Sequence, residues 1–291
     1  MAGSENPHIA SEGTWLGDPM VFHGEGAFWD PRSGVLRHVD MLAGDIVTLG
    51  AGGAARSPIA DVVALLRRRA EGFVAAIERG FALLDDELRI VREIPVFDDP
   101  RVRMNEGGCD QMGRLFCGSM AYSAAPGAGT LYRLDADLTV SVALEGVTIP
   151  NGLVWTDGGS TALHADTVDE RIWAYDYDLA AGAFGERRVF ADLSDGPGAP
   201  DGMALDDRGG VWVALWGGGC VRRYNAEGDI TDEVRLDVTN PTSCAFGGPG
   251  GHTLFVTTSK DGLGGREEPH AGLVFAVETT VSGAGVHEFA G

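Results

Sequence analysis

The sequence predicts an all-β protein that folds as a six-bladed β-propeller, and three observations lead to this prediction. A strand–turn–strand unit recurs six times along the chain, at a spacing of about 40 to 50 residues, which is the length of a four-stranded blade. Glycine contributes 44 of the 291 residues, about twice its average usage of roughly 7%. These glycines are dispersed, so they indicate many tight turns between short strands.

Each copy of the unit has a glycine-bearing turn, a short apolar strand, a polar turn and a second strand, and an acidic turn follows. No low-complexity linker interrupts the copies, and a closed ring is not easily divided. We therefore assign residues 1–291 to one domain, with residues 1–14 as a flexible or closing N-terminal segment. The copies are residues 33–49, 71–85, 113–135, 159–176, 208–228 and 251–277.

One segment leaves two interpretations open. Residues 61–72 are rich in good helix formers and could form an amphipathic helix. Gly72 and Gly80 stand where the other copies have turns, which favours a strand. The prediction is therefore a strand, with a helix as the alternative.

The chain is strongly acidic, with a formal net charge of −21 and a pI near 4.5. Such a surface repels phosphate backbones and anionic lipid, so neither nucleic acid nor a membrane is expected as a partner. The first residues lack the basic and apolar pattern of a signal peptide, and no apolar run approaches the length of a membrane span. We expect a cytoplasmic protein that acts on a small molecule, as a monomer or a small homo-oligomer.

Three short passages place an oxygen-bearing side chain beside a glycine at the start of a blade. Proline fixes the approach of the chain and glycine permits a bend, so Glu25, Asn151 and Asp201 could all be aimed at the central axis. Two carboxylates and an amide suit a hard divalent ion such as Ca²⁺, Mg²⁺ or Mn²⁺. Ordinary β-turns are the alternative interpretation of the two proline-containing passages. The passages are Gly-Glu-Gly-Ala-Phe-Trp at 24–29, Pro-Asn-Gly-Leu at 150–153 and Pro-Asp-Gly-Met at 200–203.

With these passages the chain resembles the SMP-30/gluconolactonase/regucalcin-like family, from residue 24 to about residue 277. Two further passages carry the resemblance: Arg-Met-Asn-Glu-Gly-Gly-Cys-Asp-Gln-Met-Gly-Arg-Leu-Phe-Cys-Gly-Ser-Met at 103–120, and Pro-Thr-Ser-Cys-Ala-Phe-Gly-Gly at 241–248. The resemblance implies a six-bladed propeller with one metal site on its central axis. It implies that the ligands are Glu25, Asn151 and Asp201, with Ca²⁺ expected and Zn²⁺, Mg²⁺, Mn²⁺ or Fe²⁺ as alternatives.

The activity that this resemblance implies is metal-dependent opening of a small lactone, either sugar-type or less hydroxylated. We expect the ion to polarise the carbonyl and to lower the pKa of a bound water, with Asp201 as the catalytic residue that accepts the proton. Arg103 and Asn105 are implied to face the substrate and would orient the ring and stabilise the oxyanion. One alternative is an esterase or phosphotriesterase-like hydrolase. The other is a non-catalytic calcium-binding propeller. Where the family usually has aspartate, this chain has Glu106.

Three further residues are candidates for substrate binding. Sugar lactonases of the family often carry a glutamate shortly after a Gly-x-Met motif, whereas this chain has Ser123 there, which favours a less polar lactone or ester. Trp216 could form an apolar wall of the site or belong to the core. His23 lies two residues before Glu25, so both side chains share one face of an extended strand. It could be a further ligand, an acid–base group or a structural histidine.

Overall fold

The computed structural model describes residues 8–291, and nearly all of their regular structure is β-strand. The strands form six sheets in which consecutive strands of the chain pair with one another, as in a propeller. The prediction of a six-bladed β-propeller is confirmed. None of the helical segments within residues 8–291 has the length and apolar character of a membrane span.

The blades follow one another along the chain. The N-terminal strands are β1 (His8–Glu12) and β2 (Thr14–Trp15). Blades 1 to 3 contain β3 (Gly24–Asp30), β4 (Val35–Asp40), β5 (Asp45–Gly50) and β6 (Gly53–Pro58); β7 (Val63–Arg68), β8 (Phe73–Ile77), β9 (Gly80–Leu84) and β10 (Ile90–Pro95); and β11 (Val102–Cys109), β12 (Leu115–Ala121), β13 (Gly129–Leu134) and β14 (Val140–Val147). Blades 4 to 6 contain β15 (Pro150–Thr156), β16 (Thr161–Asp166), β17 (Arg171–Asp178) and β18 (Ala183–Asp192); β19 (Ala199–Leu205), β20 (Val211–Trp216), β21 (Cys220–Tyr224) and β22 (Ile230–Arg235); and β23 (Pro241–Gly247), β24 (Thr253–Thr258) and β25 (Phe275–Glu278). Short 3₁₀ turns lie at Met41–Ala43, Asp157–Gly159, Thr167–Asp169 and Pro249–Gly251.

The first strand of each blade faces the central axis. These innermost strands (β3, β7, β11, β15, β19 and β23) contact one another in order, and β23 contacts β3, which closes the ring. We call the end at which they begin the upper face and the opposite end the lower face. Strand β2 pairs with β25 as the outermost strand of blade 6, and β1 adds to blade 5 parallel to β22. The expectation for residues 1–7 lies outside the described residues.

The last residues of the chain leave blade 6 and cross the lower face. The backbone N–H of Ala284 donates to the carbonyl of Leu205 at 3.0 Å, and that of Phe289 donates to the carbonyl of Arg68 at 2.8 Å. The side chain of Phe289 is buried in a hydrophobic cluster that blades 1, 2 and 3 share. This C-terminal segment therefore ties the lower ends of blades 5 and 2 together.

Residues 61–72 form strand β7 and its flanking turns. All six residues of β7 are buried, because it is the innermost strand of blade 2 and lies between β3 and β11. A strand that is covered on both faces does not need to alternate apolar and polar residues. The strand prediction is confirmed and the helix alternative is wrong.

The innermost strands lose their regular pairing near the upper face. A shift of this kind frees residues from the strict alternation of a regular strand. Consecutive residues can then both approach the axis, and the candidate site is built in these stretches. The shifts lie between Glu25 and Phe28, Val63 and Leu65, Met104 and Gly107, Pro150 and Leu153, Pro200 and Met203, and Pro241 and Cys244.

An aspartate at the end of the second strand fixes the loop that leads into blades 1 and 4. The carboxylate of Asp40 accepts hydrogen bonds from the backbone N–H groups of Phe22 at 3.2 Å and His23 at 3.0 Å. Asp166 accepts one from the backbone N–H of Thr148 at 2.7 Å in the same way. These bonds to ionised acceptors are stronger than neutral ones, so they hold the start of β3 and β15 in place.

Candidate metal and substrate site

Three buried carboxylates meet on the axis near the upper face. They are Glu25 of β3, Glu106 of β11 and Asp201 of β19, and one oxygen from each lies within 4.8 Å of the others. Each side chain is at most 4% exposed. The ring thus brings together residues from three blades that lie far apart in sequence. The structure brings Glu25 and Asp201 together as predicted, and their role as ligands remains a prediction.

Burial raises the pKa values of all three carboxylates, and repulsion within the cluster adds to the rise for Glu25 and Asp201. Burial, and then repulsion from Glu106, raises the pKa of Glu25 well above its ordinary value. Burial, and then repulsion from Glu25, does the same to the pKa of Asp201, and burial raises the pKa of Glu106 to about 7. Within residues 8–291, Asp201 Oδ1 and Glu106 Oε2 have no hydrogen-bond partner. Buried ions cost several kcal/mol each unless a counter-charge is near, so the cluster is suited to a cation.

The donor set and its dimensions fit a hard divalent ion. Ca²⁺ prefers oxygen ligands at about 2.3–2.6 Å, so two oxygens on one ion lie at most about 5 Å apart. The separation of up to 4.8 Å between the carboxylate oxygens is within that limit. An all-oxygen set favours calcium, magnesium or manganese over zinc, which prefers nitrogen and sulfur ligands.

Asn151 lies on β15 next to the strand that carries Asp201. Its Nδ2 donates to Thr167 Oγ1 at 2.7 Å, and its Oδ1 accepts from Asn105 Nδ2 at 3.1 Å. An amide oxygen has two lone pairs, so one remains for a metal ion. The amide is therefore held in one orientation while its oxygen keeps a free position.

The glycines that follow the candidate ligands permit a close approach of neighbouring strands. Gly152 and Gly202 lie within β15 and β19, so the β-turn interpretation of the two proline-containing passages is wrong. A Cβ atom on Gly152 would lie 2.6 Å from Met203 Cγ, and one on Gly202 would lie 2.6 Å from Ser243 Oγ. Any larger residue would push the innermost strands apart at the level of the carboxylates.

Arg103 and Asn105 are buried on β11 and are bonded to each other. Arg103 Nη1 donates to Asn105 Oδ1 at 2.7 Å and to the carbonyl of Met104 at 2.9 Å. Asn105 Nδ2 donates to the carbonyl of Pro150 at 2.8 Å as well as to Asn151. Both hydrogens of the Asn105 amide are thus used within the protein, and Asn105 positions Arg103 and Asn151. Contact of Arg103 and Asn105 with a substrate remains a prediction.

His23, Trp216 and Ser123 all lie at the upper face. His23 is buried with its Nδ1 2.7 Å from Ser259 Oγ, and burial, followed by the nearby Arg103, lowers its pKa to about 4. The contact between its ring nitrogen and the buried Ser259 favours the structural interpretation. Trp216 is partly exposed and packs edge-on against His23 with ring centroids 6.0 Å apart, which favours the apolar wall. Ser123 is exposed in the loop after β12.

A cavity of about 580 Å³ lies on the lower side of the carboxylate cluster. Its walls include Trp29 and Trp155, and residues 282–287 of the C-terminal segment line its lower part. Glu106, a member of the carboxylate cluster, lines this cavity, whereas the predicted substrate-binding residues do not. The cavity and the predicted substrate side are therefore on opposite sides of the carboxylates.

Glu106 is the residue whose place in the cluster the sequence did not reveal. In a regular strand Asn105 and Glu106 would point to opposite faces. The register shift between Met104 and Gly107 lets both lie near the axis. The signal in the sequence is the glycine pair after Glu106, because glycines within a strand mark bulges and close contacts. A Cβ on Gly107 would lie 1.9 Å from the carbonyl oxygen of Phe116.

The chain is similar to known proteins over most of its length. A family model described as SMP-30/Gluconolactonase/LRE-like region matches residues 23–260. Pentonolactonase XacC of Haloferax volcanii is 35% identical over 272 residues, which cover 89% of this chain and 92% of that protein. L-arabinolactonase of Azospirillum brasilense is 32% identical over 295 residues, covering 98% and 97%. The crystal structure of a calcium-binding protein, regucalcin, from Agrobacterium tumefaciens has a TM-score of 0.90 and 25% identity, covering 98% of this chain and 99% of that chain.

Proposed function

Because this chain belongs to the SMP-30/gluconolactonase/LRE-like family, we propose that it is a metal-dependent hydrolase that opens a small lactone. The names of the pentonolactonase and the arabinolactonase support this reaction class. The observation that carries the metal dependence is the buried cluster of Glu25, Glu106 and Asp201, two of whose oxygens have no hydrogen-bond partner within residues 8–291.

Glu25, Asn151 and Asp201 would hold the ion, and calcium is the proposed occupant because all the donors are oxygens. When bound, such an ion polarises a carbonyl group and makes water more acidic. Asp201 would accept the proton of the attacking water. Its Oδ1 has no hydrogen-bond donor within the described part of the chain, so this oxygen is available to accept a proton.

Arg103 would stabilise the negative charge that develops on the carbonyl oxygen. Its hydrogen bonds to described residues all use Nη1, so Nε and Nη2 remain available to a substrate. A buried, permanently charged donor that is already oriented stabilises an oxyanion with little reorganisation. Asn105 contributes indirectly, because it fixes both Arg103 and the amide of Asn151.

A less hydroxylated lactone is the proposed substrate, because Ser123 stands where sugar lactonases of this family often have a glutamate. The test is a panel of lactones, aryl esters and phosphotriesters assayed with calcium and with EDTA. We expect calcium-dependent turnover of lactones above the other two classes. Turnover that EDTA leaves unchanged would contradict the metal dependence, and calcium binding without any turnover would favour a non-catalytic calcium-binding protein.

A further inference from the structure

We propose that the upper face carries a binding site for an alkyl or aryl substituent of the lactone, formed by Phe22, Leu42, Tyr122 and Val168 together with Trp216. This inference rests on the proposed function, since it names the class of lactone that the metal site would open. It assigns these residues to substrate specificity.

The argument starts from where large apolar side chains are exposed. Phe22 is 49% exposed, Leu42 37%, Tyr122 47% and Val168 51%, and all four lie in upper-face loops. Scattered exposed apolar residues are normal and need no explanation. Four in the loops at the upper end of the axis are a different matter, because the loops belong to blades 1, 3 and 4 and are brought to the same end only by the ring.

Two of the four are joined to the site through Arg103. The guanidinium carbon of Arg103 lies 5.8 Å from the centre of the Tyr122 ring, so this ring covers the guanidinium group. Leu42 directly follows Met41, whose Sδ lies 3.1 Å from Arg103 Nη1. An apolar group that extended past Arg103 would therefore meet the ring of Tyr122.

The other two residues, Phe22 and Val168, are each next in sequence to a residue that contacts another part of the site. Phe22 directly precedes His23, against which Trp216 packs. Val168 directly follows Thr167, whose Oγ1 accepts the hydrogen bond of Asn151. Each of the four apolar residues thus either contacts a site residue or stands next to one that does.

Three polar residues of the upper face are poorly suited to binding the hydroxyls of a polyhydroxylated lactone. The hydroxyl of Tyr122 donates to Glu78 Oε1 at 2.7 Å, so the residue offers its ring and not its hydroxyl. Asn105 uses both amide hydrogens within the protein, and position 123 carries a serine in place of a carboxylate. Sugar hydroxyls that lose water without gaining partners are unfavourable to bind, whereas an alkyl chain on these rings is favourable.

The experiment compares γ-lactones of increasing alkyl chain length with gluconolactone, using the calcium-loaded protein. Each methylene that is buried should raise kcat/KM by about fourfold. Tyr122→Ser and Phe22→Ser should flatten this dependence on chain length. The matched controls are Val142→Ser and Val189→Ser on outermost strands, where valines are 53% and 49% exposed, and they should keep the wild-type slope.

A second measurement separates substrate binding from turnover. Calorimetric titration with the corresponding alkyl-substituted γ-lactams, which are not hydrolysed, should show the same dependence on chain length and the same loss in the two variants. Lactam binding of this kind without lactone turnover would support the apolar site and contradict the proposed function. Turnover that favours gluconolactone over every alkyl lactone would contradict the apolar site but not the proposed lactonase activity. A wild-type dimer that Phe22→Ser converts to a monomer would also overturn it, because the surface would then be an interface between copies.

Discussion

Replacing Glu106 with glutamine tests whether the carboxylate cluster carries unbalanced charge. The substitution removes one of the three buried ionisable carboxyl groups and keeps the size of the side chain. In the folded protein burial raises the pKa of Glu106 to about 7, compared with about 4.3 for an unfolded glutamate. A folded-state pKa above the unfolded value means that stability is lost as the pH rises through about 7. The metal-free wild type should therefore be less stable at pH 8 than at pH 5.5.

The size of the effect follows from the pKa shift. The difference between a folded pKa of about 7 and an unfolded pKa of about 4.3 corresponds to roughly 3.5 kcal/mol at 1.36 kcal/mol per pH unit. A buried amide without full hydrogen bonding costs about 1–2 kcal/mol, so Glu106→Gln should stabilise the metal-free protein at pH 8 by roughly 2 kcal/mol. The same variant should weaken calcium binding, because it removes a negative charge from the site.

Urea denaturation of the EDTA-treated proteins at the two pH values measures this effect. Glu227→Gln is the matched control, since Glu227 is exposed in the turn between β21 and β22, and it should behave like the wild type. If Glu106→Gln loses as much stability between pH 5.5 and pH 8 as the wild type does, the charge argument is wrong.

Three further substitutions test the other parts of the site. Asp201→Asn should abolish lactone turnover while circular dichroism shows the fold unchanged; measurable turnover at the wild-type rate would exclude Asp201 as the base. Asn105→Ala should raise the calorimetric Kd for calcium roughly 10- to 100-fold, because it frees the amide of Asn151, and an unchanged Kd would argue against that positioning role. Gly202→Ala should cost about 1–3 kcal/mol in thermal denaturation, since its Cβ would lie 2.6 Å from Ser243 Oγ. Gly52→Ala, where a Cβ meets nothing within 4 Å, is the control, and equal losses in both would contradict the strand-approach argument.

The sequence predicts the propeller well because the same strand–turn–strand pattern occurs six times. An ambiguous stretch such as residues 61–72 can therefore be assigned from its position within the repeated unit. The positions of Glu25 and Asp201 are predictable for a related reason, since each stands beside a glycine at the start of a blade.

The remaining features depend on contacts that no local pattern records. Glu106 reaches the cluster only because the pairing of β11 with β12 shifts, and Asn105 is occupied because β15 passes close to it. The path of residues 281–291 across the lower face likewise follows from where blades 2 and 5 end. The exposed apolar side chains at the upper face lie in loops that only the closed ring brings to the same end of the axis.

The most direct test of the metal centre is to compare the fully demetallated protein, confirmed by elemental analysis, with the calcium-loaded protein. A ligand that binds only the folded state at 100 times its Kd stabilises it by about 2.7 kcal/mol. At about 2.1 cal/mol/K of unfolding entropy per residue, this corresponds to a rise in Tm of roughly 4–5 °C for a chain of 291 residues. We predict that rise together with recovery of lactone turnover when calcium is added back. A demetallated protein that keeps both its full turnover and its Tm would contradict the account.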